Sequence, residues 1–183
     1  MPADRHLLVD AMNVIHAWPE LRAILTAHGP DAARAQLATT LRPIHDTEGW
    51  RVTIVVDGSG DELRIERPGK ELTFSYVHGP KGLSADGVIE QLVGNATLPH
   101  DEDRRSSKKK DRDAEIVVAT RDNMLGEATA ANGARLMTPN LLREWSKDAA
   151  ARQEREVLAR ARKAASQWQA RASPWDKLPK SPK

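Results

Sequence analysis

The chain has 183 residues, of which 39% are hydrophobic and 30% are charged, and its formal net charge is +2 at pH 7. This length predicts one domain with a short extension, and no apolar run approaches the roughly 20 residues needed to span a bilayer. The absence of cysteine excludes disulfides, thiolate metal sites and cysteine nucleophiles. The first ten residues lack the apolar core of a secretory signal, so we expect a cytoplasmic protein with no membrane partner.

The charge is distributed unevenly along the chain. Residues 151–183 hold nine Lys and Arg against three Asp and Glu, a net of +6, which leaves −4 for residues 1–150. A basic segment on an acidic body is typical of proteins that bind a polyanion with that segment, although a solvated basic helix has the same composition. We predict a domain over residues 1–150 and a basic helical extension with a flexible tail over 151–183.

Five segments have the apolar or β-branched pattern of strands. The first ends at Asp10 and begins with a continuous apolar run, which indicates a buried parallel strand. The five predicted strands cover residues 7–10, 51–57, 71–77, 114–120 and 135–137. Two stretches read as loops: residues 58–61, which are rich in glycine, and residues 100–113, which contain no apolar side chain and predict a charged loop insert.

Predicted helices alternate with these strands. One follows the Gly29-Pro30 turn, and Pro43 should kink or end it before Gly49. A second has Ser84 as its N-cap, a third covers residues 124–131, and a long one begins at Pro139. This alternation indicates an α/β fold with a central parallel sheet and helices on both faces. We place the first strand centrally and expect the strand order 3-2-1-4-5.

Acidic residues follow the strands of this sheet. Asp10, Asp57 and Asp122 end or follow a strand, and Asp86 lies in the first turn of the helix after the third strand. In open α/β sheets the carboxyl edge is where ligands bind. A single acid there is commonly a cap or turn residue. Four acids at one edge predict a functional site in the crevice between the first and fourth strands.

Clustered carboxylates need a counter-charge or raised pKa values. Two unit charges about 5 Å apart repel by roughly 3 kcal/mol at an effective dielectric near 20. Mg²⁺ or Mn²⁺, which prefer oxygen ligands, would relieve this repulsion and could activate water to attack a phosphodiester. Asn13, three residues after Asp10, could hold a bound water or a phosphate oxygen through its amide.

Other chemistries have weaker support. The six histidines show no zinc-ligand spacing, although His16 is close enough to the Asp10 turn to contact a substrate. Ser59 lacks the flanking pattern of a nucleophile elbow. A nucleotide phosphohydrolase would need a second acid at position 12, where this chain has Met12.

The extension has a periodic apolar stripe. Leu158, Ala161, Ala165 and Trp168 recur at helical spacing, so we expect the stripe to pack on the body or on another subunit. The basic residues around it could neutralise phosphates, and Trp168 could stack on an unpaired base. Arg160, Lys163 and Trp168 are therefore candidate RNA contacts, with a solvated or self-packing extension as the alternative.

Four stretches together resemble the YacP-like NYN family of PIN-fold ribonucleases. They are LLVDAMNVIHAWPEL, RVTIVVDGSG, LSADGVIEQL and VVATRDNMLGEATAANGARLMTPNLL, in the family's order and spacing. The family's first motif usually reads DGYN, whereas this chain has Ala11 and Met12 at the middle positions. Its fourth motif commonly has serine before the acid, whereas this chain has Arg121, which could bind phosphate or could crowd the metal.

The resemblance implies a three-layer PIN-like fold and a metal-dependent endoribonuclease. In the family's characterised branch the enzyme is associated with the ribosome and cuts mRNA during translation. Matched to the motifs, the catalytic residues are Asp10, Asn13, Asp86 and Asp122, and the metal ligands are Asp10, Asp57, Asp86 and Asp122. The cofactor implied is Mg²⁺ or Mn²⁺, and the partner is single-stranded RNA. The alternative is a non-catalytic RNA- or ribosome-binding module of the same fold.

Overall fold

The computed structural model describes residues 5–97 and 115–170. The strands are β1 (Arg5–Asp10), β2 (Arg51–Gly60), β3 (Arg64–Glu66), β4 (Phe74–Pro80), β5 (Glu115–Ala119) and β6 (Arg135–Met137). The helices are α1 (Ala11–Ala17), α2 (Pro19–Glu48), α3 (Ala85–Thr97), α4 (Asn123–Ala131) and α5 (Pro139–Ala170). The predicted charged insert at 100–113 lies outside the described residues, as does the tail from residue 171.

The strands form one sheet in the order β3-β4-β2-β1-β5-β6. Five are parallel, and β3 is antiparallel to β4 at one edge. The predicted order of five parallel strands is confirmed, with β1 between β2 and β5. Strand β3 was not predicted, because its three residues are all exposed and alternate charged and apolar side chains too briefly to give a strand signal.

Two predicted strand boundaries are wrong. Residues 58–60, which we expected in a flexible loop, belong to the end of β2. Glycine allows this, because a Cβ on Gly58 would lie only 1.5 Å from the carbonyl oxygen of Gly79 on β4. The third predicted strand begins at Phe74 rather than residue 71 and extends to Pro80, so its pairing with β2 continues past Asp57.

Helices cover both faces of the sheet. One apolar cluster joins alternate β-strand residues to α1, α2 and α5, and includes the fully buried Trp18, Leu37 and Leu142. The other joins the opposite strand faces to α3 and α4. Each fully buried Leu or Ile contributes about 1.5–3 kcal/mol relative to an exposed one. The predicted three-layer α/β architecture is therefore confirmed.

The break in α2 lies at Gly29 rather than at Pro43. Gly29 has φ 85°, a left-handed conformation that glycine adopts without the steric cost of a side chain. Pro43 is buried within the helix, which continues to Glu48 and ends at Gly49, also at positive φ. The expected turn at Gly29-Pro30 thus becomes a kink between two helical segments.

Helix α5 runs through residue 150 without a break. Its first turns are fixed to the body: Trp18 donates a buried 2.8 Å hydrogen bond to the carbonyl of Pro139, and Arg143 forms two 2.8 Å hydrogen bonds with Glu20. Beyond Gln153 every residue with a described side chain is exposed. The predicted stripe therefore does not pack on the described body, since Leu158 is 49% and Trp168 80% exposed.

The boundary at residue 150 stays a prediction, since no break in α5 coincides with it. Across residues 5–97 and 115–170, none of the helices combines the length and apolar character that a membrane crossing requires.

Candidate active site

Asp10 is the last residue of the central strand and the N-cap of α1. Its carboxylate accepts a 3.0 Å hydrogen bond from the backbone nitrogen of Asn13 and a 2.6 Å hydrogen bond from Asn13 Nδ2. Only 4% of Asp10 is exposed. The three-residue spacing thus has a local cause: it places Asn13 in the first helical turn, where its backbone and amide both reach the cap.

Asp86 lies in the first turn of α3, whose predicted cap is confirmed by a 3.3 Å hydrogen bond from the Gly87 backbone nitrogen to Ser84 Oγ. The pKa of Asp86 is raised to about 6, first by burial and then by the negative charge of Asp10. The charges of Asp122 and Asp57 and a hydrogen bond with the Asp10 carboxyl raise this pKa further. The four predicted acids therefore interact at one edge of the sheet and are called the acidic cluster below.

One oxygen of Asp86 has no hydrogen-bond partner. Oδ1 is buried, and within residues 5–97 and 115–170 nothing donates to it. A buried carboxylate oxygen without a donor is costly, because it loses its bonds to water and gains none in return. Such an atom points to a missing donor or cation.

Asp57 and Asp122 are more exposed and use one oxygen each to accept backbone hydrogen bonds. Oδ1 of Asp57 accepts a 2.9 Å bond from Ala85, which ties the end of β2 to the start of α3. Oδ1 of Asp122 accepts bonds of 2.7 and 3.2 Å from Met124 and Leu125 and caps α4. Both acids thus position the helices that border the site.

The donors fit a hard divalent cation at Asp10 and Asp86. Both are carboxylates, one of them has an orphaned oxygen, and Mg²⁺ is commonly held by one or two carboxylates with water completing its octahedron. No group of three His, Asp or Glu side chains in the described ranges could hold an ion as arranged. The larger set of four acid ligands stays a prediction.

The predicted substrate contacts fall into two groups. Arg121 is exposed directly before Asp122, and His16 is exposed on α1, one helical turn after Asn13. Arg160, Lys163 and Trp168 are on the exposed half of α5, where Arg160 pairs with Glu156 at 3.4 Å. Among the described residues, no contact joins this second group to the acidic cluster.

A polar cavity beside Asp57 was not predicted. Arg34, Glu62, Arg64 and His78 line it together with glycines of β2 and β4. Arg34 and His78 are on different elements, 44 residues apart in the sequence. No local pattern could have joined them, and the one available signal was the glycine-rich end of β2.

Comparison with known proteins agrees with the fold and identifies a family. The family model described as the YacP-like NYN domain matches residues 7–179. The crystal structure of Rae1 (YacP) from Bacillus subtilis is 25% identical with a TM-score of 0.61, over 90% of this chain and 83% of that one.

A mutant of that protein, in which one tryptophan is replaced by leucine, is also 25% identical, with a TM-score of 0.64 over 85% of this chain and 82% of the other. No curated protein matches the chain. The family match covers nearly the whole chain and supports an RNA-related function of the nuclease type. The protein therefore belongs to the YacP-like NYN domain family.

Proposed function

We propose that this protein is a metal-dependent endoribonuclease that hydrolyses phosphodiester bonds of single-stranded RNA with Mg²⁺ or Mn²⁺ as cofactor. The observation that carries the proposal is the Asp86 carboxylate, whose buried Oδ1 has no donor in the described structure and whose largest charged influence is Asp10. Family membership adds the nuclease class. The metal-dependent cleavage is inferred from the carboxylates of Asp10 and Asp86 at the carboxyl edge of the sheet.

Electrostatics favour a cation at this point. A pair of carboxylates about 5 Å apart repels by roughly 3 kcal/mol at an effective dielectric near 20, and burial weakens the screening by water. Without a cation, burial and the negative charge of Asp10 raise the pKa of Asp86 to about 6. With a cation bound, both carboxylates would be ionised and the orphaned oxygen would have a partner.

Each residue has a separate role in this proposal. Asp10 and Asp86 would hold the ion, and Asn13 orients the Asp10 carboxylate through its amide. Asp122 and Asp57 add negative charge and fix α4 and α3 at the edge. When bound, a divalent cation supplies charge neutralisation for the phosphodiester and lowers the pKa of the attacking water.

The RNA contacts follow from position and charge. Arg121 lies directly before Asp122 and His16 one helical turn after Asn13, both are exposed, and both would contact the strand that is cut. Arg160, Lys163 and Trp168 on the exposed part of α5 would hold a more distant part, with phosphates at the cations and a base on the indole. Stacking needs unpaired bases, so we propose single-stranded RNA, with mRNA on the ribosome in the cytoplasm as the context that the family resemblance implies.

The second candidate is a non-catalytic RNA-binding module. It is favoured by one specific observation: Asp10, Asp57 and Asp122 each accept backbone hydrogen bonds at helix starts. In that case these acids only cap helices, and the raised pKa of Asp86 is a consequence of its burial beside them.

A cleavage assay separates the two candidates. Purified protein, Asp86→Asn and Asp148→Asn are incubated with an unstructured RNA in Mn²⁺, in Mg²⁺ and in chelator. Asp148 is an exposed acid of α5, so its substitution removes the same charge away from the cluster. We expect internal cleavage by wild type and Asp148→Asn, loss by at least about 100-fold in Asp86→Asn, and none in chelator. Equal cleavage by all three, or by none, contradicts the proposal.

A further inference from the structure

The cavity beside Asp57 has a volume of about 340 Å³. Small-ligand sites range from about 300 to 1,000 Å³, so this one can hold a single small polar group. Its lining comes from α2, from the strands β2, β3 and β4, and from the segment between β2 and β3. Because Asp57 belongs to the lining, the cavity and the acidic cluster are contiguous.

Bare backbone forms one wall of this cavity. Val56 pairs with His78 and Gly60 with Pro80, so β2 has two more residues than β4 in this interval and bulges. A bulge interrupts the ladder of strand hydrogen bonds and is common next to active sites. Gly58 and Gly79 both line the cavity, and because a Cβ on Gly58 would overlap the Gly79 carbonyl, glycine here lets β2 and β4 approach closely beside it.

Arg34 supplies a cation from α2. Its side chain is only 22% exposed, and it pairs with Asp31, which is 91% exposed. An ion pair with so exposed a partner is weak and readily exchanged for another anion. The carbonyl of Arg34 accepts a 3.1 Å hydrogen bond from the hydroxyl of Tyr76, so the backbone beneath this guanidinium is fixed relative to β4.

His78 and Arg64 face the same space from the strands. Nε2 of His78 is buried and makes no hydrogen bond within the described residues, although Oε2 of Glu66 lies 3.4 Å away. Arg64 pairs with that same carboxylate oxygen at 3.3 Å and is 70% exposed. The Glu66 carboxylate thus faces nitrogen donors of two residues, so Arg64 and His78 can also donate hydrogen bonds to an acceptor on a ligand.

The cavity is lined by both cationic and anionic side chains, and this combination limits the kind of ligand that it can bind. Glu62 and Asp57 also line the cavity and would repel an inorganic anion, but they can accept hydrogen bonds from hydroxyl or amino groups. A nucleotide carries both kinds of group. We propose that the cavity binds one phosphate-bearing nucleotide of the RNA, next to the phosphodiester that is cut, with Arg34 and Arg64 on its phosphate and His78 Nε2 donating to it.

This inference rests on the proposed function, and binding in chelator tests it apart from cleavage. The probe is a fluorescent, unstructured RNA of about 12 nucleotides, long enough to cover a single-strand site, titrated with wild type, Arg34→Gln, Arg64→Gln and Arg135→Gln. Arg135 pairs with Glu115 at the amino edge of the opposite side of the sheet, so it is the matched control. We expect binding about tenfold weaker with Arg34→Gln and Arg64→Gln, and a salt slope lower by about one in each.

The outcomes are distinct. If both cavity variants bind RNA as Arg135→Gln does, the inference is wrong. Arg64 is largely exposed, so Arg64→Gln should fold normally and still tests the inference if Arg34→Gln folds poorly. Adenosine monophosphate should displace the RNA at concentrations where inorganic phosphate does not, whereas equal displacement contradicts a nucleotide site. The proposed function is tested separately by cleavage: if Asp86→Asn cleaves RNA as fast as wild type, the proposed function fails while the binding result stands.

Discussion

Asn13 donates two hydrogen bonds to a single carboxylate, one of 2.6 Å from Nδ2 to Oδ2 of Asp10 and one of 3.0 Å from its backbone nitrogen to Oδ1. The backbone bond caps α1, whereas the amide bond fixes the orientation of the carboxylate plane. The two contributions can therefore be separated by mutation, because a side-chain substitution removes only the second.

Asn13→Ala is expected to lower RNA cleavage by about 10- to 100-fold, the usual cost of losing a group that orients a metal ligand. The backbone cap survives, so the melting temperature should change little. Cleavage rates are measured over a Mn²⁺ titration, and the loss should be partly recovered at high Mn²⁺. Asn140→Ala, an exposed site on α5, is the control. Full activity of Asn13→Ala at low Mn²⁺ would contradict a role of Asn13 in orienting the Asp10 carboxylate.

Asp86→Asn is expected to stabilise the metal-free protein. The folded-state pKa of Asp86 is raised to about 6 by burial and by Asp10, so wild-type stability falls as pH rises from about 4 to about 6 and stays lower above that. Each pKa unit corresponds to about 1.4 kcal/mol, and after discounting for solvent screening we expect a gain of about 1–2 kcal/mol at pH 8.

Urea unfolding in chelator between pH 4 and pH 8 measures this difference, which should vanish near pH 4 because wild-type Asp86 is then protonated in the folded state. Added Mg²⁺ should stabilise wild type and not the variant. A variant that is less stable than wild type at pH 8 would show that Asp86 is held by donors rather than strained by its neighbours.

Gly58→Ala and Gly94→Ala should change stability in opposite directions. A Cβ on Gly58 would overlap the carbonyl of Gly79, so β2 and β4 would have to separate, at a cost of about 1–3 kcal/mol or more. A Cβ on Gly94, within α3, meets no atom of the described residues within 4 Å, and alanine there should stabilise by about 0.5–1 kcal/mol. Thermal and urea unfolding give both values. Equal effects at the two sites would refute the close strand contact.

Trp18→Phe tests how α5 is held on the body. The indole nitrogen of Trp18 donates a buried 2.8 Å hydrogen bond to the carbonyl of Pro139, and phenylalanine removes this bond, which we expect to lower the free energy of unfolding by about 0.5–1.5 kcal/mol. Hydrogen exchange should rise in the first turns of α5. Trp168→Phe, at an exposed position, should leave stability unchanged. A Trp18→Phe protein as stable as Trp168→Phe would mean that this hydrogen bond is not an anchor.

The features that could be predicted from the sequence are mostly those that depend on residues close together in the chain. The apolar run before Asp10 identified the central strand, and the three-residue spacing to Asn13 identified a capped helix start. The strand order followed from the alternation of strands and helices. Asp86 could be placed near Asp10 only through that topology, because 76 residues separate them in the sequence.

Features that depend on non-local contacts were missed. Nothing around Arg34 indicates that it lies near His78, since α2 meets β4 only in the folded chain. The continuation of β2 through residues 58–60 depends on Gly79 of the neighbouring strand, and β3 forms because β4 offers an edge. The exposure of Leu158 and Trp168 was not predictable either, because an apolar stripe does not reveal whether the body provides a surface for it.

The central claim is that Asp10 and Asp86 share a divalent cation. Anomalous diffraction from crystals of the wild-type protein soaked in Mn²⁺ tests it most directly, with Asp86→Asn crystals as the control. We predict one strong peak within about 2.5 Å of a carboxylate oxygen of each residue, including Oδ1 of Asp86, and no peak in the variant. Carboxylates more than about 8 Å apart with no peak between them in saturating Mn²⁺ would contradict the account, because one ion could not then join them directly or through one water.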